Sequence, residues 1–208
     1  RGAIVNAFAD AAKEFCTQAQ LAGAHTLFHH EDENAEWVAS RWMRRVGIQY
    51  HWHNRGYSTW EDFLASLTSK RRNQLKRETA QPAKDGVEII TLAPSDLTPQ
   101  VASTMHRLYL TTVDKFVYGR RYLTAEFFQL IAKRFAHRLA WVVAKKGDEI
   151  VAGAFNAKKD NALYGRYWGT FVDLPFLHFN VCYYHGVKEA IAEKLERFEP
   201  GAGGEHKR

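Results

Sequence analysis

Residues 138–171 read "RLAWVVAKKGDEIVAGAFNAKKDNALYGRYWGTF". Three runs rich in β-branched and aromatic residues are separated by "KKGDE" and "KKDNA", two turn-forming polar clusters. That pattern predicts three strands in a β-meander. After it come a helix over about 178–194, with Val181, Tyr184, Val187, Ile191 and Leu195 on one side, and a closing strand in "LERFEPG". Strands gathered late and flanked by helices point to an α+β or mixed α/β architecture.

Upstream, helical spacing of Ile4, Val5, Phe8, Ala12, Phe15 and Ala19 predicts a helix over 3–22 that ends at Gly23. "HTLFHH" (25–30) predicts a short strand, residues 31–46 a second helix closed by Gly47, and "IQYHWHN" (48–54) another strand. Ser58 and Glu61 fit a capping box opening the next helix. Ser69 is placed to cap a third helix, 69–80, whose one large apolar residue is Leu75. "VEIITLA" reads as a strand, and helices follow at about 97–114 and 124–136, the latter capped by Thr124. No internal repeat and no low-complexity linker is visible.

The chain has 208 residues, 46% of them hydrophobic and 13% aromatic, enough for a full core and the opposite of a disordered composition. No apolar run approaches the roughly 18 residues of a membrane span, and no signal-peptide pattern opens the sequence. Cys16 and Cys182, far apart and outside any CxxC motif, read as buried free thiols of a reducing cytosol, which gives a cytoplasmic protein. The net charge of +6 favours an anionic partner. GxxxxGK[ST], HExxH, GxSxG and the dinucleotide-binding glycine triplet are all missing, so the familiar ATP, zinc-protease, hydrolase and dinucleotide readings fall away.

Four constellations remain. Lys70, Arg71, Arg72, Lys76 and Arg77 put five cations in eight positions. Three of them lie in the first helical turn, where the macrodipole prefers anions, an arrangement suited to a bound phosphate or simply to a solvated charged face. In "LYGRYWGTF", strand alternation places Tyr164, Arg166 and Trp168 on one face and Leu163, Gly165 and Tyr167 on the other. The glycines there mark a bulge or a close backbone approach, either to a ligand or within an aromatic core. His51 and His53 face the same way along a strand but lack an evident third ligand, so no metal site is expected. Asp114 and Lys115 end a helix before a loop holding Tyr118, Gly119, Arg120 and Arg121, which brings titratable groups to a cleft or to the surface.

Taken together, "FLASLTSKRRNQLKRE" (63–78), "LYGRYWGTFVDLPFLHFNVCYYHGVKEAI" (163–191) and "LERFEPGAGGEHK" (195–207) resemble a known family. With "QYHWHNRGY" (49–57) and "RRYLTAEFF" (120–128), they are similar in order and over nearly the whole chain to the Fem-like bacterial branch of the GNAT superfamily. These are predicted N-acyltransferases of peptidoglycan biosynthesis and recognition. The resemblance implies a GNAT-like mixed α/β fold: a central, mostly antiparallel sheet, splayed where an acyl donor lies and flanked by helices. It implies a partial N-terminal α/β segment over 1–57 and a main acyltransferase domain over 58–208, with the chain truncated at both ends and the final strands absent. "GAGGEHK" stands where the family usually has "GAQGEHK", so Gly203 deletes a side-chain amide. The acetyl-CoA loop of ordinary GNAT enzymes, [QR]-x-x-G-x-[GA], is replaced by "DLPFLHFN", which shifts the expected donor from acyl-CoA toward aminoacyl-tRNA.

The implied activity is transfer of an acyl or aminoacyl group from acyl-CoA or aminoacyl-tRNA, as co-substrate and with no resident cofactor, to an amine acceptor such as a cell-wall precursor. In that reading Glu199, Glu205 and His206 are the general bases, and Tyr164 is the group that protonates or polarises leaving atoms. Arg166, Tyr167 and Trp168 line the substrate cleft with Asp114 and Lys115 beside it. The cations at 70–77 hold the donor's phosphates. The rival expectation is a non-catalytic module of the same fold that recognises peptidoglycan precursor or RNA.

Overall fold

The computed structural model describes residues 2–27, 29–115 and 121–201. The chain divides into two compact units, Arg1–Ile48 and Gln49–Arg208. In the first, α1 (Gly2–Gln18) and α2 (Asn34–Ala39) are joined by an irregular segment, and Ser40 Oγ donates to Asn6 Oδ1 at 2.7 Å. The strand expected at 25–30 is not formed among the described residues there. The second helix stops at Ala39 rather than 46, because Arg41 turns the chain at a φ of 61°. Trp37 and Trp42 then meet edge-on, 5.0 Å between centroids, across that turn. Helical spacing alone overestimated this element, because side-chain burial did not follow it: none of the α2 residues is buried.

The larger unit holds one six-stranded sheet in the order β1-β6-β5-β4-β3-β2. Its strands are β1 (Trp52–His53), β2 (Glu88–Thr91), β3 (Val142–Lys146), β4 (Glu149–Lys159), β5 (Ala162–Thr170) and β6 (Arg197–Glu199). The expected meander is β3–β4–β5, antiparallel throughout, with Gly147 supplying a φ of +60° in its first turn. The fold is thus mixed α/β with a mostly antiparallel sheet; β5 and β6 form its parallel pair.

Helices cover both faces. Thr59, not Ser58, caps α3 (Trp60–Ala65): its Oγ1 accepts from Asp62 N at 3.0 Å while Asp62 Oδ2 accepts from Thr59 N at 3.0 Å. Likewise Thr68, one residue before the expected Ser69, caps α4 (Ser69–Lys84). Both caps fall at the residue with extended ψ, where the hydroxyl can reach the third helical N–H. On one face α5 (Pro99–Val113) and α6 (Ala125–Arg134) bury Tyr109, Phe128, Trp141 and Phe155 against β3–β5. On the other lies a continuous helix of three parts, α7 (Leu177–Phe179), a π-helical turn (Asn180–Tyr184) and α8 (His185–Ala192). It packs Leu177, Val181, Val187 and Ile191 onto the sheet. Cys16 and Cys182 form no disulfide, and both are half-buried rather than fully buried.

Between that helix and β2 sits a partly buried polar network. Thr91 Oγ1 donates to Glu189 Oε2 at 2.9 Å and lies 2.9 Å from His185 Nε2, so His185 is the donor in that second bond. Glu189 also pairs with Lys158 at 3.5 Å. Burial, then the neighbouring Lys188 charge, pushes the imidazole from 6.5 down to about 4. The unfolded chain therefore binds more protons between those values. Stability that is fully present above pH 6.5 is lost as pH falls toward 4, in total about 3 kcal/mol. Urea midpoints at pH 7 and pH 4.5 should diverge in the native protein and diverge less in His185→Gln.

Candidate functional site

The site is built on the corner where β6 runs between β1 and β5. Trp52 pairs with Phe198 and Leu163 with Phe198, so these three point to the α8 face and join its core. Strand alternation then sends Arg197, Glu199 and Tyr164 to the opposite face, with Glu199 and Tyr164 directly in register. Arg197 Nε lies 2.8 Å from Glu199 Oε1 in an off-axis ion pair, without the geometry of a hydrogen bond. Its Nη2 donates to Tyr164 Oη at 3.3 Å. That bond, reinforced by the Glu199 charge, raises the Arg197 pKa and keeps the guanidinium protonated. The Arg166 guanidinium stands 5.4 Å over the Tyr164 ring. His51 Nε2 is 3.8 Å from Glu199 Oε2, whose side chain is 13% exposed: shielded, yet open to a ligand.

Pairing of β5 with β6 ends at Tyr164 and Glu199, while β5 continues to Thr170. Beyond that pair the chain stays close to β5: Gly201 has a φ of +92°, a Cβ on it would come within 3.3 Å of Gly165 O, and one on Gly165 within 3.2 Å of the Pro200 backbone. Glu199 and Tyr164 are thus the last pair of the β5–β6 ladder. Of the expected bases, Glu205 and His206, like Gly203, lie outside the described residues.

The expected grouping of Tyr164, Arg166 and Trp168 on one face is corrected by a bulge. Phe155 pairs with Tyr167 and Asn156 with Gly165, leaving Arg166 as the extra residue. A bulge of this kind resets the alternation beyond it. Arg166 stays with Tyr164, whereas the Trp168 ring sits 4.8 Å from His178 in the core beneath α7. Tyr167 packs edge-on against Tyr109 at 4.9 Å, and burial raises its phenol pKa. Asp114 is engaged by Arg121 through two 2.8 Å hydrogen bonds, the main reason its carboxyl is held below the usual range. Lys115 is exposed beside it.

The cations of α4 divide. Arg72 donates to the carbonyls of Leu64, Ala65 and Leu67 at 2.9, 3.2 and 2.9 Å, which closes the C-terminal end of α3. Lys70, Arg71, Lys76 and Arg77 are exposed. Residues that charge counting missed lie on the other side of this helix. Glu78, 9% exposed, accepts from Gln74 Nε2 at 2.7 Å and from the Tyr184 hydroxyl, and its carbonyl accepts from Asn180 Nδ2 at 2.9 Å. The signal was its spacing: Glu78 falls three residues after the buried Leu75, on the inward face.

Beneath this helix opens a cleft of about 270 Å³. Trp52, Trp60 and Phe63 form one wall, and Tyr183 and Tyr184 of the π-turn the other, with Arg71 and His51 also in the lining. The π-turn explains that second wall: its wider circuit stacks Phe179 on Tyr184, five residues apart, at 6.3 Å and 22°. Burial raises the pKa of both tyrosines, so they stay protonated. His51 belongs to this cleft and to the Glu199 corner, so the two share a boundary. Among the described residues there is no cluster of three or more metal-ligating side chains, and no helix is long and apolar enough to cross a membrane.

A mostly antiparallel six-stranded sheet with one parallel pair, flanked by helices on both faces, is an acyltransferase-type fold. The chain belongs to the FemAB-like family, peptidoglycan biosynthesis/recognition, whose model matches residues 1–208. No curated protein matches it. Among solved structures it is similar to the C-terminal DUF2156 domain of a candidate lysylphosphatidylglycerol synthetase from Agrobacterium fabrum. The TM-score is 0.58 at 15% identity, over 94% of this chain and 60% of that one. It is also similar to L-PGS from Bacillus licheniformis, with a TM-score of 0.57 at 10% identity over 81% of this chain and 49% of that one. FemX follows at 0.51 and 12%, over 98% of this chain and 69% of that one. The chain spans about half to two thirds of the length of these neighbours, and at such identities the likeness is one of fold.

Proposed function

We propose that the protein transfers an acyl or aminoacyl group to an amine of a cell-wall precursor, with aminoacyl-tRNA as donor in preference to acyl-CoA. The observation that carries this reading is the corner itself: Glu199, in register with Tyr164 and flanked by Arg197 and His51, at the last pair of the β5–β6 ladder. Membership of the FemAB-like family supports a cell-wall acceptor. The name of the Agrobacterium neighbour, a candidate lysylphosphatidylglycerol synthetase, supports an aminoacyl donor.

In the reaction the acceptor amine attacks the donor's ester carbonyl. The C–N bond forms as Glu199 takes the amine proton, and the Arg166 and Arg197 guanidinium groups stand beside the developing oxyanion. Collapse breaks the carbonyl C–O bond, Tyr164 supplies the proton to the leaving oxygen, and the proton taken up by Glu199 passes back to Tyr164, which restores both groups. A thioester donor would break C–S instead. Glu205 and His206 are alternative bases from the segment that follows β6. Lys70, Arg71, Lys76 and Arg77 hold donor phosphates, while Arg72 holds α3.

The test is an assay of the full chain with labelled aminoacyl-tRNA, acyl-CoA and an amine-bearing peptidoglycan precursor. Acylated amine is expected from aminoacyl-tRNA. Salt-dependent binding of donor or precursor with no product from either donor would overturn the reading in favour of a recognition module.

A further inference from the structure

We propose that a second cleft, between α4, β2 and α8, binds a primary ammonium group carried on a short aliphatic stem, at a site separate from the Glu199 corner. This cleft, of about 260 Å³, lies against β2. In the sheet order β2 stands four places from β6, roughly 19 Å at the usual strand spacing. The site is therefore no part of the transfer chemistry, and its occupant does not depend on the acyl-transfer reading.

Asn180 carries the argument. It lines the cleft, yet it is only 5% exposed. Its Nδ2 donates to Glu78 O at 2.9 Å and to Phe176 O at 3.0 Å. Those carbonyls can only accept, so the nitrogen must face them and the orientation of the amide is fixed. Oδ1 then has no partner among the described residues, and it is open to the cleft rather than sealed in the core. His185 adds a second acceptor. Its Nε2–H is given to Thr91 Oγ1, and burial keeps the ring neutral near neutral pH, so Nδ1 presents a lone pair. Thr79 adds a third, because its hydroxyl hydrogen goes to Leu75 O at 2.7 Å.

The donors of all three side chains are thus spent inward, and what they offer a ligand is acceptors. An ammonium group brings three donors to meet them. The exposed carboxylate of Glu88 also lines the cleft and supplies the opposite charge, while the buried Pro82 and Val87 give the stem an apolar wall. An anion would find one cation in the lining, Lys188, whose ammonium already stands 5.1 Å over the Trp60 ring. A metal ion is set aside because no cluster of three metal-ligating side chains exists among the described residues.

The probes are n-pentylamine and n-pentanol, which share a stem and differ in the head group, read by calorimetry on the full chain. Pentylamine should bind saturably and shift the His185 ring signals in NMR spectra, and pentanol should bind at least about tenfold more weakly. Replacing Asn180 would also cut its bonds to α4 and α7, so the variants are made around it. Thr79→Val should weaken the amine about tenfold. Charge changes at two exposed positions should act in opposite directions: Glu88→Gln weakens the amine about threefold, and Lys188→Gln tightens it by about as much. No saturable binding, equal affinity for amine and alcohol, His185 signals that stay in place at saturation, or an affinity unmoved by both Thr79→Val and Glu88→Gln overturns the proposal. Competition separates the sources of the ammonium group. Displacement of pentylamine by lysine blocked at both its α-amino and carboxyl groups assigns the cleft to a peptide-borne lysine side chain, and displacement by cadaverine alone assigns it to a free amine. These readouts need no turnover, so failure of acyl transfer leaves this site standing, and failure of amine binding leaves the acyl-transfer reading standing.

Discussion

Glu199→Gln lowers the rate of acyl transfer by about a hundredfold to ten-thousandfold, the range of a positioned general base. The substitution keeps the side chain's volume and removes the carboxylate proposed to take the amine proton. Glu199 contacts Arg197 by charge at 2.8 Å and faces His51 at 3.8 Å, so the amide leaves the corner's shape in place. The loss should accordingly appear in kcat, with donor KM changed by less than about threefold, because an interaction made only as the proton moves contributes nothing to ground-state binding. Arg197→Gln is the companion. It removes the cation that bridges Glu199 and Tyr164 and should broaden the pH dependence as well as slow the step. Single-turnover rates with labelled aminoacyl-tRNA decide the matter. If Glu199→Gln and His206→Ala both leave the rate unaltered, the catalytic assignment fails.

How far the sequence carried this site depends on what each residue's signal was. The meander was legible, since strand period and turn chemistry agreed from Arg138 to Phe171. Glu199 was legible because it closes a strand that runs into a glycine-rich segment. The parallel pairing that places it opposite Tyr164 is a long-range choice, set by the helix that crosses from β5 to β6, and no local pattern encodes it. Arg197 and His51 come to stand beside Glu199 only through the strand pairings on either side of β6. The glycines of "LYGRYWGTF" signalled a bulge as one of two readings, but not its place: alternation there is regular, and only the partner strand reveals Arg166 as the extra residue. Charge density on α4 was read correctly as charge, but Arg72 turned inward to the α3 carbonyls, where three acceptors outweigh exposure to solvent. The caps slipped by one residue because Ser58–Thr59 and Thr68–Ser69 each offer two hydroxyls in succession, and backbone ψ chooses between them.

Gly169→Ala unfolds or severely destabilises the protein, with a loss of at least about 3 kcal/mol. A glycine in "RYWGT" reads from sequence as a bulge or a close approach, with a ligand as one candidate for what approaches. The structure answers that it is α5. A Cβ on Gly169 would stand 1.8 Å from the Leu108 carbonyl oxygen and 2.3 Å from its carbon, both backbone atoms of a packed helix. A flexible side chain could swing away, but Leu108 is 1% exposed, and the helix backbone is fixed at that level. Thr112 Oγ1 donates to Trp168 O at 2.7 Å, and Thr170 N donates to Thr111 Oγ1 at 3.2 Å. These bonds bolt α5 to β5 on either side of the glycine, so relieving the clash means breaking both and lifting Tyr109 and Leu108 out of the core. Gly153→Ala is the graded control on the neighbouring strand: its Cβ would approach the Met105 sulfur at 3.0 Å and the Val142 carbonyl at 3.1 Å, distances that small shifts relieve. The urea midpoint should therefore fall far more for Gly169→Ala than for Gly153→Ala. Equal midpoints would mean that α5 does not sit on β5 as closely as described. Function would follow stability here, since Tyr164 and Arg166 reach the Glu199 corner from the same strand that this glycine seats.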